Sequence, residues 1–482
     1  MRNNKLGKLR LLAATSALAV ASFVAAPAAN AAIQITVYNN NAAGIGFNDP
    51  TPVAPVGGNP GTTLGEQRIY AFLFAADKWG ATLTSNVEVR ILAQFTALTC
   101  TPTGAVLGSA GATTVFRDFT NAPVVATWYS SALADKLTGI DLSPLNNTLS
   151  GFDINANFNV NLGNPGCLTG VPFYFGLDNN HGTAVDFVTV LTHEMGHGLG
   201  FQTFTNGSTG AQLAGFPAMW DRFLLDNTTG LNWTQMTGAE RQASAIGVNK
   251  LVWTGPNVSA NVPLVLRGTP RLTIGGPAAG ATAGTYLIGS ASFGAPLASP
   301  GLSADVMPMS AANADGCLSF GAADKTAVTG NIALINRGVC GFVIKVKNAQ
   351  LAGAVGVIIA DNVAGSPPPD LGGTDPTITI PSVRITLGDA TTLRTALTKR
   401  SRTKSGVIAT LDTNTAVLAG ADAFKRIKMY TPNPYQGGSS VSHYDTTATP
   451  NQLMEPAING DLTHEVTVPF DLTYELFKDI GW

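Results

Sequence analysis

The chain has 482 residues, of which 45% are hydrophobic and only 12% charged. That is length for roughly two to four domains and too apolar a composition for a disordered chain. The 28 Lys plus Arg against 30 Asp plus Glu leave no basic surplus of the kind nucleic-acid binders carry.

The N-terminus opens with Arg2, Lys5, Lys8 and Arg10, then an apolar run, Leu11 to Val24, then Ala29-Asn30-Ala31. A basic head, a short apolar stretch and a small-x-small end make a secretory signal peptide over 1–31, so the protein is expected to be exported and secreted. No later run is apolar for about 18 residues, so no mature membrane span is expected. Export permits disulfides. Cys100, Cys167, Cys317 and Cys340 allow three pairings; Cys100–Cys167 with Cys317–Cys340 keeps each bridge within one proposed domain.

Residues 33–61 are rich in Asn, Pro and Gly, with a first strand at 33–38. From 64 to 80 the spacing of Ile69, Phe72, Leu73 and Ala76 predicts a helix with those residues on its apolar face. Alternation predicts strands at 87–95 and 152–160. Residues 183–200 read as one helix with Val188, Leu191, Met195 and Leu199 on its apolar face. Asp186 lies near its start, where an acid suits the dipole.

After about residue 257 the texture changes: Gly, Ala, Pro and Ser dominate 267–316. A strand (332–336), a helix (341–352) and a strand (355–360) follow as a self-contained unit. A proline-rich loop (366–370) precedes a strand at 383–386 and a helix at 389–397, with Asp389 as its expected N-cap. From about 422 the texture of the first part returns, as an insertion into a larger domain would produce. The tail, ending at Trp482, reads as β-rich.

The chemistry is concentrated in His193-Glu194-Met195-Gly196-His197. On a helix, residues four apart share a face, so two imidazoles can grip one Zn²⁺. Glu194 is then placed to act on a water as general base without ligating the metal. Gly196, Gly198 and Gly200 crowd the last turn, each costing about 1 kcal/mol relative to Ala, so close packing or a sharp exit must favour them. A third ligand is required, and His181, His443 and His464 are the remaining imidazoles.

The stretch His193 to Phe201 resembles the metzincin metallopeptidases, except that Thr203 stands where their compact pattern has its third ligand. Ser442-His443-Tyr444-Asp445, followed by Asn451-Gln452-Leu453-Met454-Glu455-Pro456, is similar to the leishmanolysin-like branch, in which a long insertion precedes the third His. The resemblance implies an α+β metzincin-type domain, a twisted mixed sheet plus the active-site helix, holding one catalytic Zn²⁺. It further implies that His443 is the third ligand, that Met454 is the Met-turn residue beneath the metal, and that strand 152–160 is the edge that pairs with substrate. His181 is then structural or at the cleft rim, His464 is structural, and Tyr444 carries no assignment.

Ile332-Ala-Leu-Ile-Asn-Arg337-Gly338-Val-Cys340-Gly-Phe342, Lys345, Asn348-Ala349, Ala352-Gly353-Ala354, Gly356 to Asn362 and the Pro381–Thr386 segment resemble the protease-associated (PA) domain, a smaller non-catalytic α/β module. Lys345 and Lys347 are expected on its solvated helix face. The layout is a signal peptide (1–31), a metallopeptidase part with the zinc helix (32–260), an inserted PA domain (261–415) and a metallopeptidase part with the third ligand and Met-turn (416–482). The expected function is a secreted zinc endopeptidase acting on protein or peptide substrates. The alternatives are a non-catalytic zinc-containing adhesion or surface-binding protein, against which Glu194 counts, and a zinc hydrolase of non-peptide amides or esters. Calcium has no EF-hand pattern to support it, and no feature bears on oligomeric state.

Overall fold

The computed structural model describes residues 31–146 and 148–482; the expected signal peptide lies, but for its last residue, outside them. The first sheet is mixed, four-stranded and ordered β1-β2-β4-β3, from β1 (Ile35–Asn39), β2 (Val89–Thr96), β3 (Gly108–Ala112) and β4 (Ile154–Asn159). β1, β2 and β4 run parallel and β3 pairs antiparallel with β4. The edges are therefore β1 and β3. The segment expected as the edge, 152–160, is β4, an interior strand: residues 108–112 (Gly-Ser-Ala-Gly-Ala) pair along its open side and take the edge instead.

Helix α1 (Leu64–Thr82) begins at a capping box in which Thr63 Oγ1 accepts the Glu66 amide at 3.2 Å and Glu66 Oε2 accepts the Thr63 amide at 3.1 Å. It buries Arg68, Ala71, Phe72, Ala75, Ala76 and Trp79. Ile69 and Leu73, expected on that face, are 38% and 45% exposed, because the buried stripe runs through Arg68, Phe72, Ala75 and Trp79 instead. Helix α2 (Ser131–Thr138) is followed by α3 (Phe187–Leu199), every residue of which is buried. Its N-cap is Asp186, whose carboxylate accepts the Thr189 amide at 2.7 Å. Trp79 Nε1 donates to the Thr192 carbonyl at 3.1 Å, fastening α1 to α3.

Helix α4 (Pro256–Val265) leads into an eight-stranded sheet. Its strands are β5 (Gly268–Gly275), β6 (Gly284–Tyr286), β7 (Ile288–Ser290), β8 (Leu302–Pro308), β9 (Ile332–Asn336), β10 (Gly356–Ala360), β11 (Ser382–Ile385) and β12 (Ile408–Leu418), in the order β6-β5-β12-β8-β9-β10-β11-β7. β8 to β11 are parallel. Such strands are buried on both faces, and alternate residues divide accordingly. Ile332 and Leu334 join Ala390 and Leu393 of helix α6 (Leu387–Ala396); Ala333 and Ile335 join Val346 and Ala349 of helix α5 (Phe342–Leu351). The N-cap of α6 is Thr386, whose hydroxyl accepts the Asp389 amide at 3.0 Å, and not Asp389, which falls inside the first turn.

Lys345 is also placed differently from expectation. It is fully buried, and its ammonium donates to the carbonyls of Asp315 and Gly338 at 2.6 Å each; Lys347 is half-buried. The disulfides are Cys100–Cys167 and Cys317–Cys340, as favoured. The tail is helical, α7 (Thr473–Ile480), with Leu476, Phe477 and Ile480 buried, so packing overrides its β-forming Thr, Tyr and Phe. One apolar core draws on residues from Ile33 to Leu266 and again from Leu418 to Ile480. Among the described residues no helix is long and apolar enough to cross a membrane.

Candidate metal centre

The helix α3 presents His193 and His197 one turn apart, and a distant loop brings His443 to them. One ring nitrogen from each of the three lies within 4.8 Å of the others. Each Nδ1 is at hydrogen-bond distance from a carbonyl oxygen: Leu453 for His193 (2.7 Å), Phe201 for His197 (2.8 Å) and Ser439 for His443 (2.8 Å). A carbonyl only accepts, so each Nδ1 carries the proton and each Nε2 is left with a bare lone pair.

The three Nε2 atoms are 3.1, 3.1 and 3.3 Å apart. With both tautomers spoken for, these close approaches are not hydrogen bonds; three lone pairs converge on one point. Burial holds the rings neutral, pushing His193 down to about 4 and His197 to about 3, and lowering His443 well below its ordinary value, helped by the neighbouring rings. Neutral imidazoles are the form that binds metal. Four-coordinate zinc with bonds of about 2.0–2.1 Å keeps neighbouring ligands about 3.3 Å apart, so the donor set fits such an ion.

Glu194 is 8% exposed, and burial raises its carboxyl to about 8, opposed by a hydrogen bond from the Ala110 amide of β3. Gly108, also on β3, faces it: a Cβ there would stand 3.0 Å from Glu194 Cγ and Oε1. The edge strand thus lies directly over the carboxylate.

The glycines of the last turn have separate reasons. A Cβ on Gly196 would stand 2.8 Å from the Met454 sulfur, and one on Gly198 would strike Ile154 of β4. Gly200 ends the helix at φ +124°, a conformation that favours glycine. Met454 is fully buried beneath the helix.

Thr203 stands elsewhere than on the imidazole trio. Its amide donates to Ser442 Oγ at 3.2 Å and its hydroxyl to Asp221 Oδ1 at 2.5 Å. Asp221, fully buried, also accepts the Thr205 hydroxyl at 2.5 Å and the Ala218 amide at 2.9 Å. Neither Ser442 nor Asp221 was legible as part of this support, since their partners are distant in sequence. His464 Nε2 pairs with Asp186 Oδ1 at 2.9 Å, at the start of α3, and His181 Nδ1 bonds the Ala184 carbonyl at 2.8 Å; both are outside the trio. The Tyr444 hydroxyl donates to the Leu472 carbonyl at 3.2 Å in the core.

Residues 302–393 match the PA domain family. The chain is 33% identical over 78 residues, 16% of its length, to the minor extracellular protease Vpr of Bacillus subtilis, and the match spans 9% of that protein. Among solved structures it is similar to BSAP, a zinc aminopeptidase from Bacillus subtilis, at 26% identity over 33% of this chain and 36% of that one, with a TM-score of 0.22. It is also similar to the subtilisin-like protease Apa1 of Pseudoalteromonas sp. AS-11, at 18% identity over 30% and 33% of the two chains and the same TM-score of 0.22. The chain carries a PA domain, and the proteins it matches in part are proteases.

Proposed function

We propose that this protein is a secreted zinc endopeptidase of the leishmanolysin-like metzincin type, interrupted by its PA domain. The observation that carries the reading is the convergence of three Nδ1-anchored imidazoles, His193, His197 and His443, beside a buried Glu194. A binding protein has no use for that carboxylate. Secretion is inferred from the N-terminal pattern, and Vpr is itself named an extracellular protease.

In this reading His193, His197 and His443 hold one Zn²⁺, which when bound supplies Lewis acidity toward a scissile carbonyl and toward water. Glu194 takes a proton from the attacking water and delivers it to the leaving amine. The open side of β3 offers backbone N–H and C=O groups to an extended peptide, which would pair as one more strand, and Gly108 keeps a side chain off Glu194. Met454 supports the trio from below without ligating.

The same reading divides the chain into 1–31, 32–260, 261–415 and 416–482. Its support is the apolar core shared between residues before 267 and after 417, with the eight-stranded sheet formed from 268–418.

The test is casein hydrolysis by the purified protein with and without a chelator, alongside Glu194→Gln. Hydrolysis should stop with chelator, return with zinc, and be absent in Glu194→Gln despite retained zinc. Activity indifferent to chelation would refute the zinc mechanism; retained zinc with no hydrolysis of any peptide would favour the binding-protein alternative.

A further inference from the structure

Residues 452–454 touch the support of two of the three imidazoles. The Leu453 carbonyl accepts the Nδ1 proton of His193 at 2.7 Å. The Met454 carbonyl accepts the amide of Tyr444, the residue after His443, at 2.8 Å. This stretch is neither helix nor strand, so its placement depends on side chains that hold it from outside.

One buried carboxylate does this at the decisive residue. Asp471, 3% exposed, accepts the Leu453 amide on Oδ2 at 2.6 Å and the Thr473 amide, at the start of α7, on Oδ1 at 2.7 Å. Neighbouring bonds brace the flanks. Gln452 Oε1 accepts the Leu472 amide at 3.0 Å, and Glu455 Oε1 accepts the Gln452 amide at 2.8 Å. Among the described residues, Asp471 alone hydrogen-bonds the amide of the residue whose carbonyl holds His193.

We propose that Asp471 is a positioning residue for the metal centre: it fixes Leu453, and through the Leu453 carbonyl it fixes the tautomer and ring orientation of His193. The inference rests on the zinc reading above. Ligating histidines commonly give their second N–H directly to a carboxylate or a carbonyl. Here the two devices stand in series, with one residue between carboxylate and imidazole. If Leu453 shifts, a buried Nδ1–H loses its acceptor, and the ring is free to turn Nε2 away from its two partners. Asp471 also ties the C-terminal helix α7 to the centre, so a contribution from the end of the chain reaches a ligand on α3.

The experiment is chelator-competition measurement of zinc affinity for wild type and Asp471→Asn, with melting of the metal-free proteins. Asp479→Asn is the control. Asp479 is a second buried carboxylate, on α7, but it serves the Trp253 indole and the Asn257 amide, at 3.0 and 2.8 Å. Asp471→Asn should weaken zinc binding by about 10–100-fold, the usual loss for an outer partner of a ligating His. Asp479→Asn should lower the melting temperature and leave zinc affinity near wild type. A second measurement needs no variant: in the metal-free wild type, the Leu453 amide proton should resonate downfield and resist exchange. Folded Asp471→Asn with wild-type zinc affinity, or a Leu453 amide that exchanges like an open loop, would overturn the inference. A wild-type protein that binds no zinc would instead remove the reading beneath it.

Discussion

The Thr203 amide donates to the Ser442 hydroxyl at 3.2 Å across 239 positions of sequence, stitching the exit of α3 to the residue before the third imidazole. Thr203, the position that compact metzincin patterns give to a ligand, here ties the His443 loop to the end of α3.

Thr203→Val removes the hydroxyl bonded to Asp221 and leaves a fully buried carboxylate short of a donor, at a cost of about 1–3 kcal/mol. Ser442→Ala loses one hydrogen bond, about 0.5–1.5 kcal/mol. Denaturant unfolding of the metal-free proteins should rank them in that order. Equal stability of Thr203→Val and wild type would show that Asp221 finds another partner.

Gly196→Ala sets helix propensity against packing. Alanine favours the helix by about 1 kcal/mol, but its Cβ would meet the Met454 sulfur at 2.8 Å in a buried site where overpacking costs about 1–3 kcal/mol. The variant should be less stable than wild type. A double-mutant cycle with Met454→Ala should give a coupling of about 0.5 kcal/mol or more; strict additivity would mean the two residues do not press on each other.

Asp135 of α2 and Asp153, both buried, face each other, and Asp135 Oδ2 and Asp153 Oδ1 have no other partner among the described residues. Two acceptors there call for one shared proton. Burial, with the charges of Asp153 and Asp141, pushes Asp135 up to about 7, opposed by the Leu142 amide, and burial also raises Asp153. A carboxyl raised in the folded state binds its proton more tightly than in the unfolded chain, where its pKa is about 3.9. Its contribution is therefore complete below that value and is lost as pH rises through about 7. Between pH 5 and 8 the unfolding midpoint of wild type should fall relative to that of Asp135→Asn. A constant difference across that range would show that the pair does not share a proton.

Lys345→Met tests the buried ammonium of α5. The Asp315 carbonyl loses the ammonium and the Gly338 carbonyl keeps only the Cys340 amide, which should cost about 1–3 kcal/mol while leaving zinc content at the wild-type level. A stable variant would mean that water replaces the ammonium.

The elements legible in the sequence are those whose signals are local. The His193–His197 spacing and the strand-helix-strand unit of 332–360 each depend on neighbours within a turn or a pleat, whereas the helix expected from 183 starts only at Phe187, with Val185–Asp186 in a short strand pair. The elements missed depend on distant partners. β3 is Gly-Ser-Ala-Gly-Ala, with no β-branched residue to announce a strand; its register comes from β4 beside it and Glu194 beneath it. Lys345 reads as a surface residue until the Asp315 and Gly338 carbonyls close over it. α7 contains Thr, Tyr and Phe, residues with a liking for strands, and is helical because Leu476, Phe477 and Ile480 fill the core. Asp471 and Asp221 gave no signal at all, since a carboxylate that serves backbone amides from afar leaves no spacing to read.

The most direct test of the account is zinc content per chain, measured on wild type and His443→Ala after dialysis against a weak chelator. The account predicts one zinc in the wild type and its loss from the folded variant, because two imidazoles from α3 alone make an incomplete site. Wild-type zinc in His443→Ala would contradict it and place the metal on another set of ligands.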